Sequence, residues 1–334
     1  MKKLTKIVAG LALSVCALLM PAQAKTVIRV GMPPQIGYSP LNVADAKGYW
    51  KEQGIKVEVV PYDDSQAVGK ALASGEIDVG ADLIGNWVGL QMQGLPIKIV
   101  AETQWSNGDQ KLLIKSGQEI GKLKGQTVGI NDKQVAQLFL LSKYLNSKGM
   151  RLADFKLVEQ NPERLTDAFV KGQVQVAVLS DLFANDAIRR GNGLALVDSA
   201  SYSGIMPQGF AANPQAMKEL REDQWVKFFV GWLKAVNWIR GPNFKWGEYR
   251  DLLNAKTFKN FSAEGDAAMM DMLSGVKFLG VYEQIKRNGE LGGLEYYLRD
   301  VLRFMKENGY IKNEPDHQTL LDTTHFQKAL QAFK

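Results

Sequence analysis

From about Thr26 to Val197 the chain alternates short apolar runs with amphipathic stretches. Runs over 27–31, 55–60, 77–81, 97–102, 111–115, 127–130, 155–159, 175–179 and 194–198 read as strands. Many are bracketed by residues such as Gly54, Gly75, Pro96, Gly125, Gly172 and Gly193, which bound strands instead of prolonging helices. Between them the spacing predicts helices over 41–50, 65–74, 83–93, 134–148, 162–171 and 181–190. Such alternation predicts parallel α/β sheets with helices on both faces. The stretch 79–124 organises the rest: strand, acidic turn, helix, strand, a Trp-Ser-Asn-Gly loop, and a further strand at which the chain crosses into a second lobe. The second half changes character. Trp225, Phe228, Phe229, Trp232, Val236 and Ile239 recur at helical spacing, as do Leu294, Tyr297, Leu298, Val301, Leu302 and Met305. Aromatic stripes of this kind belong in a core more often than in a binding box. The C-terminal part is therefore expected to be mostly helical and to pack back onto the first lobe.

Residues 1–24 stand apart. Lys2, Lys3 and Lys6 precede an apolar run over 7–20 that is too short to span a bilayer, and Ala22-Gln23-Ala24 offers small residues for cleavage. This is the pattern of a secretory leader removed before Lys25. Cys16, the single cysteine, leaves with it, so the mature chain is expected to lack disulfides, thiolate nucleophiles and thiolate metal sites. The formal charge of +6 becomes +3 when the three leader lysines are removed. The remaining cations are scattered among acids, which argues against a nucleic-acid partner. No later segment is long and apolar enough to cross a membrane. With 334 residues the chain can bury its own cores, and its length suggests two domains.

In open α/β sheets, ligands bind beyond the carboxyl ends of strands, where loops lead into helix N-termini. The residues at those positions are the candidates. They are Gly37 and Tyr38 after the first strand, Asp64 and Ser65 after the second, and Asp82 and Asn86 after the third. Trp105 and Asn107 follow the fourth, Asn131, Asp132 and Gln134 the sixth, and Ser180 and Asp181 the eighth. Asp64, Ser65, Asp82, Asp132 and Ser180 are also good helix N-caps, and capping alone explains any one of them. Trp105, beside Asn and Gly, is expected to wall a pocket. Catalytic constellations are weak. His317 and His325 lie in a polar tail with no obvious partner, no cluster has metal-ligand spacing, and no nucleophile elbow, P-loop or dinucleotide motif is present. Asp63 and Asp64 are adjacent, not one turn apart, so no acid–base pair is indicated. Neither enzyme activity, cofactor nor metal is expected.

The segment GYSPLNVADAKGYWKEQGIKVEVVPYDDSQAVGKALASGEIDVGAD resembles the opening of nitrate/sulfonate/taurine-type solute-binding proteins of ABC importers, the NMT1/THI5-like family. Val43, Ala44, Lys47, Gly48, Tyr49, Gly54, Val57, Ala71, Leu72, Ser74, Gly75, Ile77, Asp78 and Gly80 carry the match. GLPIKIVAE, IGKLKGQTVGI and LTDAFVKGQVQVAVLSD are similar to later blocks of that family. The resemblance covers about residues 27–200. Gln175 stands where an acid is usual, Ser180-Asp181 replaces a frequent Trp-Glu-Pro, and WSNGD resembles a subgroup carrying SNGAD. The resemblance implies a type II periplasmic-binding-protein fold: two α/β lobes joined by two crossover segments near 104–110 and 199–208, with a helical C-terminal region. Lobe one would comprise 25–107 and 205–334, and lobe two 108–204. It also implies a periplasmic monomer that closes on a small molecule and delivers it to an ABC permease and ATPase at the inner membrane.

Two ligand classes compete. Helix N-termini at the strand ends suit an anion such as a sulfonate or nitrate. The same loops carry Asp64, Asp82, Asp109, Asp132 and Asp181, with Lys133 the one basic residue among their tips. Those acids would attract a cation or the amino end of a zwitterion. A sulfonate or taurine-like solute is the first expectation and a nitrogenous cationic or neutral solute the second. An enzyme resembling thiamine-pyrimidine synthase, which uses a Cys-rich motif, is a third, disfavoured by the absence of cysteine after the leader.

Overall fold

The computed structural model describes residues 25–131, 134–261 and 265–333. The leader at 1–24 and the candidates Asp132 and Lys133 lie outside the described residues. Eleven strands are formed within them. Six are β1 (Val27–Met32), β2 (Lys56–Pro61), β3 (Val79–Leu83), β4 (Lys98–Ser106), β5 (Gln110–Lys115) and β6 (Thr127–Asn131). The others are β7 (Lys156–Gln160), β8 (Val176–Ser180), β9 (Gly193–Asp198), β10 (Pro207–Ala212) and β11 (Val276–Phe278).

They build two sheets, in the orders β11-β4-β10-β3-β1-β2 and β7-β6-β8-β5-β9. In the first, β2, β1 and β3 run parallel while β10 is antiparallel to both β3 and β4. In the second, β7, β6 and β8 run parallel while β5 is antiparallel to β8 and β9. β5 and β10 are the strands by which the chain enters each sheet from the other, while β11, antiparallel to β4, closes the edge of the first sheet. β5 follows the first crossover and β10 the second, so each lobe holds one strand inserted from across the hinge. This is the type II periplasmic-binding-protein arrangement, two α/β lobes joined by two crossover segments.

The hydrophobic pattern explains most of the packing. β3 is buried along its whole length, as a central strand covered on both faces must be. Helix Glu222–Arg240 places Trp225, Phe228, Phe229 and Trp232 in the core of the first lobe, where Phe210 meets the Trp232 ring edge-on at 4.9 Å. Helix Gly293–Glu307 turns its apolar face toward both lobes. Its Tyr297 and Phe304 pack on Phe139 of helix Val135–Ser147 at 6.1 and 5.2 Å. An apolar seam therefore joins the lobes beside the polar cleft.

The C-terminal part is mostly helical, as expected, and also supplies β10 and β11 to the first sheet. One expectation is corrected here, because the two histidines have neighbours: His317 Nε2 lies 3.2 Å from Glu295 Oε2, and His325 stacks on Trp225.

Candidate functional site

The parallel strands of both sheets end at one cleft. From the first lobe it is lined by Pro33, Pro34 and Gln35 after β1, and by Asp63, Asp64, Ser65 and Gln66 after β2. From the second come Asn131, Gln134 and Gln137 after β6, Asn161 and Pro162 after β7, Ser180 and Phe183 after β8, and Gln110 at the start of β5. The cavity between these walls is small, with a volume of about 30 Å³. Among the described residues no Lys, Arg or His lines it.

Local structure fixes several of these groups. Asp64 is the N-cap of helix Ser65–Ser74, its Oδ1 accepting from Ala67 N at 2.8 Å, so capping and cleft lining coexist in one residue. Asn161 caps helix Pro162–Val170 in the same way, accepting from Arg164 N at 2.9 Å. Gln137 ties the cleft floor together, with Oε1 accepting from Asn131 N and Nε2 donating to Gln110 Oε1, each at 2.9 Å. Asn131 Oδ1 and Gln35 Oε1 are buried without any hydrogen-bond partner, an unusual state for acceptors away from water.

Asp82 and Asn86 sit behind the lining and act as a connection. Asp82 accepts from Leu83 N at 2.7 Å, Ser65 Oγ at 2.9 Å and Asn86 Nδ2 at 3.1 Å. Asn86 in turn donates to Gln134 Oε1 and accepts from Ala136 N at 3.2 Å. The chain of hydrogen bonds runs from the second lobe's helix N-terminus to the first lobe's β3. Burial pushes the Asp82 carboxyl up to about 7, opposed by the donors from Leu83, Asn86 and Ser65.

A recess beside the cleft holds a second pair of acids. Asp181 opens helix Asp181–Gly191, pairs with Lys111 and leaves Oδ2 without a hydrogen bond. Burial raises it to about 6 against the pull of Lys111. Asp109 lies in the first crossover, taking hydrogen bonds from Ser106 Oγ and, at 3.2 Å, from Gln208 Nε2. Burial and then the charge of Asp181 raise it to about 7. Tyr38 is fully buried within electrostatic reach of Asp82 and Asp109, its hydroxyl unpartnered and its pKa pushed well above the ordinary value, chiefly by burial.

Of the candidates, Asp64, Ser65, Asn131, Gln134 and Ser180 line the cleft, and Asp181 lines the recess. Gly37 offers its carbonyl to Gln104 Nε2 at 2.7 Å, and its side-chain position is filled by Gln208. Asn107 donates its backbone N–H to Gly275 O at 2.7 Å and does not line the cleft. Trp105 needs the largest revision. β4 runs on to Ser106, so Trp105 lies on a strand, donates to Glu102 at 2.5 Å, and sits under Lys277 and Arg287 at 4.5 and 5.1 Å. It faces a groove on another side of the molecule with Phe139 and Tyr202. Gln35, Gln110, Gln137, Asn161 and Phe183 were not among the sequence candidates. Applying the strand-end rule to β7 would have found Asn161, whereas Gln110 and Gln137 reach the cleft only through the fold. Among the described residues no group of three or more His, Cys, Asp or Glu could hold a metal ion, and no helix is long and apolar enough to cross a membrane.

The sequence matches the NMT1/THI5-like family over residues 35–241. A protein of Brucella abortus (strain 2308), provisionally named a binding protein, is 24% identical over 178 residues, 50% of this chain and 53% of its own. The match thus spans about half the length of that relative. The fold is shared with the periplasmic aliphatic sulphonate binding protein of Escherichia coli, at TM-score 0.69 and 17% identity over 90% of this chain and 92% of that one. It is shared also with the periplasmic nitrate-binding protein of Synechocystis PCC 6803, at TM-score 0.74 and 13% identity over 92% and 89%.

Proposed function

We propose, from the premise that this chain belongs to the NMT1/THI5-like family, that it is the periplasmic substrate-binding component of an ABC importer. It captures a small polar solute between its lobes and presents the closed form to a membrane permease and its ATPase. The observation that carries this reading is the two-sided lining of the cleft: Asp64 and Ser65 on one wall, Asn131, Gln134 and Ser180 on the other. A solute touching both walls gains its full contacts only when the lobes are closed, which gives it the differential affinity that closure requires. In this reading lobe one is built from residues 25–107 and 205–334, lobe two from 108–204, and residues 1–24 are the export leader.

A sulfonate or taurine-like solute is the first ligand reading, supported by the sulphonate and nitrate binders that share the fold. The second, a nitrogenous cationic or neutral solute, has a specific observation in its favour: the acidic lining without a basic side chain among the described residues. A pyrimidine-synthase-like enzyme with a Cys-rich motif is disfavoured, since residues 25–334 contain no cysteine. Calorimetric titration of the mature protein against sulfonates, taurine, nitrate and small nitrogenous solutes tests the proposal, with small-angle scattering to follow closure. Absence of binding and of closure across the whole panel would sink it.

A further inference from the structure

We infer that the cleft is built for a small, donor-rich nitrogenous cation, held by side-chain oxygens from both lobes; this rests on the solute-binding reading above and takes the second of its two ligand classes over the first. Two independent observations meet at the same place. The first is charge: Asp63 and Asp64 line the cleft, and among the described residues no cation does. The nearby Lys111 is already paired with Asp181. The second is hydrogen-bond supply. Asn131 is only 8% exposed, yet its Oδ1 has no donor, and Gln35 Oε1 on the opposite wall has none either. In the adjoining recess Asp181 Oδ2 is also unpartnered. A ligand that supplies N–H donors satisfies these oxygens, and a ligand that brings more oxygens does not.

The contrary feature is the set of helix N-termini at the cleft, which favour anions. Three of them are already met by protein oxygens. Asp64 accepts from Ala67 N at 2.8 Å, Asn161 from Arg164 N at 2.9 Å, and Asn86 from Ala136 N at 3.2 Å. The fourth begins with the carboxylate of Asp181 itself. Phe183 adds an aromatic wall, held edge-to-face against Phe261 at 6.0 Å, a surface that suits a cation better than an anion.

Guanidinium, urea and nitrate separate charge from shape, because all three are small, planar and nearly equal in size. Calorimetry with guanidinium chloride, far below denaturing concentrations, is expected to show the tightest binding. Urea should bind at least about tenfold more weakly, since it lacks the charge that buried acceptors and carboxylates reward. Nitrate and taurine should give no saturable heat. Asp64→Asn retains a good N-cap while removing the charge. It should lower guanidinium affinity at least about tenfold and urea affinity less, with the thermal midpoint unmoved. Asn131→Ala should weaken both. Nitrate or taurine binding more tightly than guanidinium, with closure seen by scattering, would overturn the cation inference and leave the importer reading standing. Guanidinium that fails to bind overturns it as well, and failure of every cationic, neutral and anionic solute to close the lobes removes both readings.

Discussion

Asp109 shows how a buried carboxylate can serve a hinge at a cost to stability. It receives hydrogen bonds from Ser106 and Gln208 but none from a cation, and burial together with Asp181 raises it to about 7. The folded pKa lies above the ordinary value, so between about pH 4 and pH 7 the folded state holds more protons than the unfolded one. Stability must then fall as pH rises through that window. Gln208 Oε1 has no partner, so a flipped Gln208 amide could accept from an asparagine at position 109. Asp109→Asn is therefore expected to stabilise the ligand-free protein by about 1–3 kcal/mol at pH 8 and by much less at pH 5. Urea denaturation at the two pH values reads this directly, and an equal effect at both would contradict it. Trp105 makes the opposite case. Its indole serves buried Glu102, which also holds Arg287 through contacts of 2.8 and 3.0 Å. Trp105→Ala should cost about 2–4 kcal/mol of stability and leave solute affinity within a few-fold of wild type, measured at a temperature where both proteins are folded.

At the scale of elements, the strands that sequence periodicity reveals are those whose side chains do the packing. β1 to β9 are rich in Val, Ile and Leu, bounded by turn residues, and legible for that reason. β10, with the sequence Pro-Gln-Gly-Phe-Ala-Ala, carries no β-branched residue and opens on a proline. Its strand character comes from its neighbours β3 and β4, which pair with it on both sides. The same tertiary support lengthens β4 through Trp105, which is why a residue placed in a loop by local sequence stands on a strand. Gly209 makes the dependence testable. A Cβ there would lie 1.9 Å from the backbone oxygen of Ala101, next to a register irregularity in the β10–β4 pairing. Backbone of a central strand cannot yield as a side-chain tip can, so Gly209→Ala should cost about 3 kcal/mol or more. A thermal midpoint within a degree or two of wild type would refute that account. The site follows the same logic. Asp64, Ser65, Asn131, Gln134 and Ser180 follow strand ends and were readable, while Gln110 and Gln137 enter the cleft from a strand start and one turn into a helix.

For the whole molecule, the decisive quantity is the balance between closed and open lobes. The apolar seam around Phe139, Tyr297 and Phe304 lies to one side of the cleft. Across the cleft itself Asn86 joins the lobes by bonds to Gln134 and to Ala136 N. Each such bond contributes about 1 kcal/mol net. Removing both should shift the closing equilibrium by about 2 kcal/mol, or roughly 30-fold. Because apparent affinity scales with the population of the binding-competent state, Asn86→Ala should raise the Kd by up to about 30-fold where the closed form is minor without ligand. Asn86 does not line the cavity, so the loss would come from closure and not from a missing contact to the solute. Scattering should accordingly show a larger radius of gyration for the variant at subsaturating ligand and the same closed radius as wild type at saturation. A variant that binds as tightly as wild type, or that fails to reach the closed radius at any concentration, would show that the Asp82–Asn86–Gln134 chain does not set the balance.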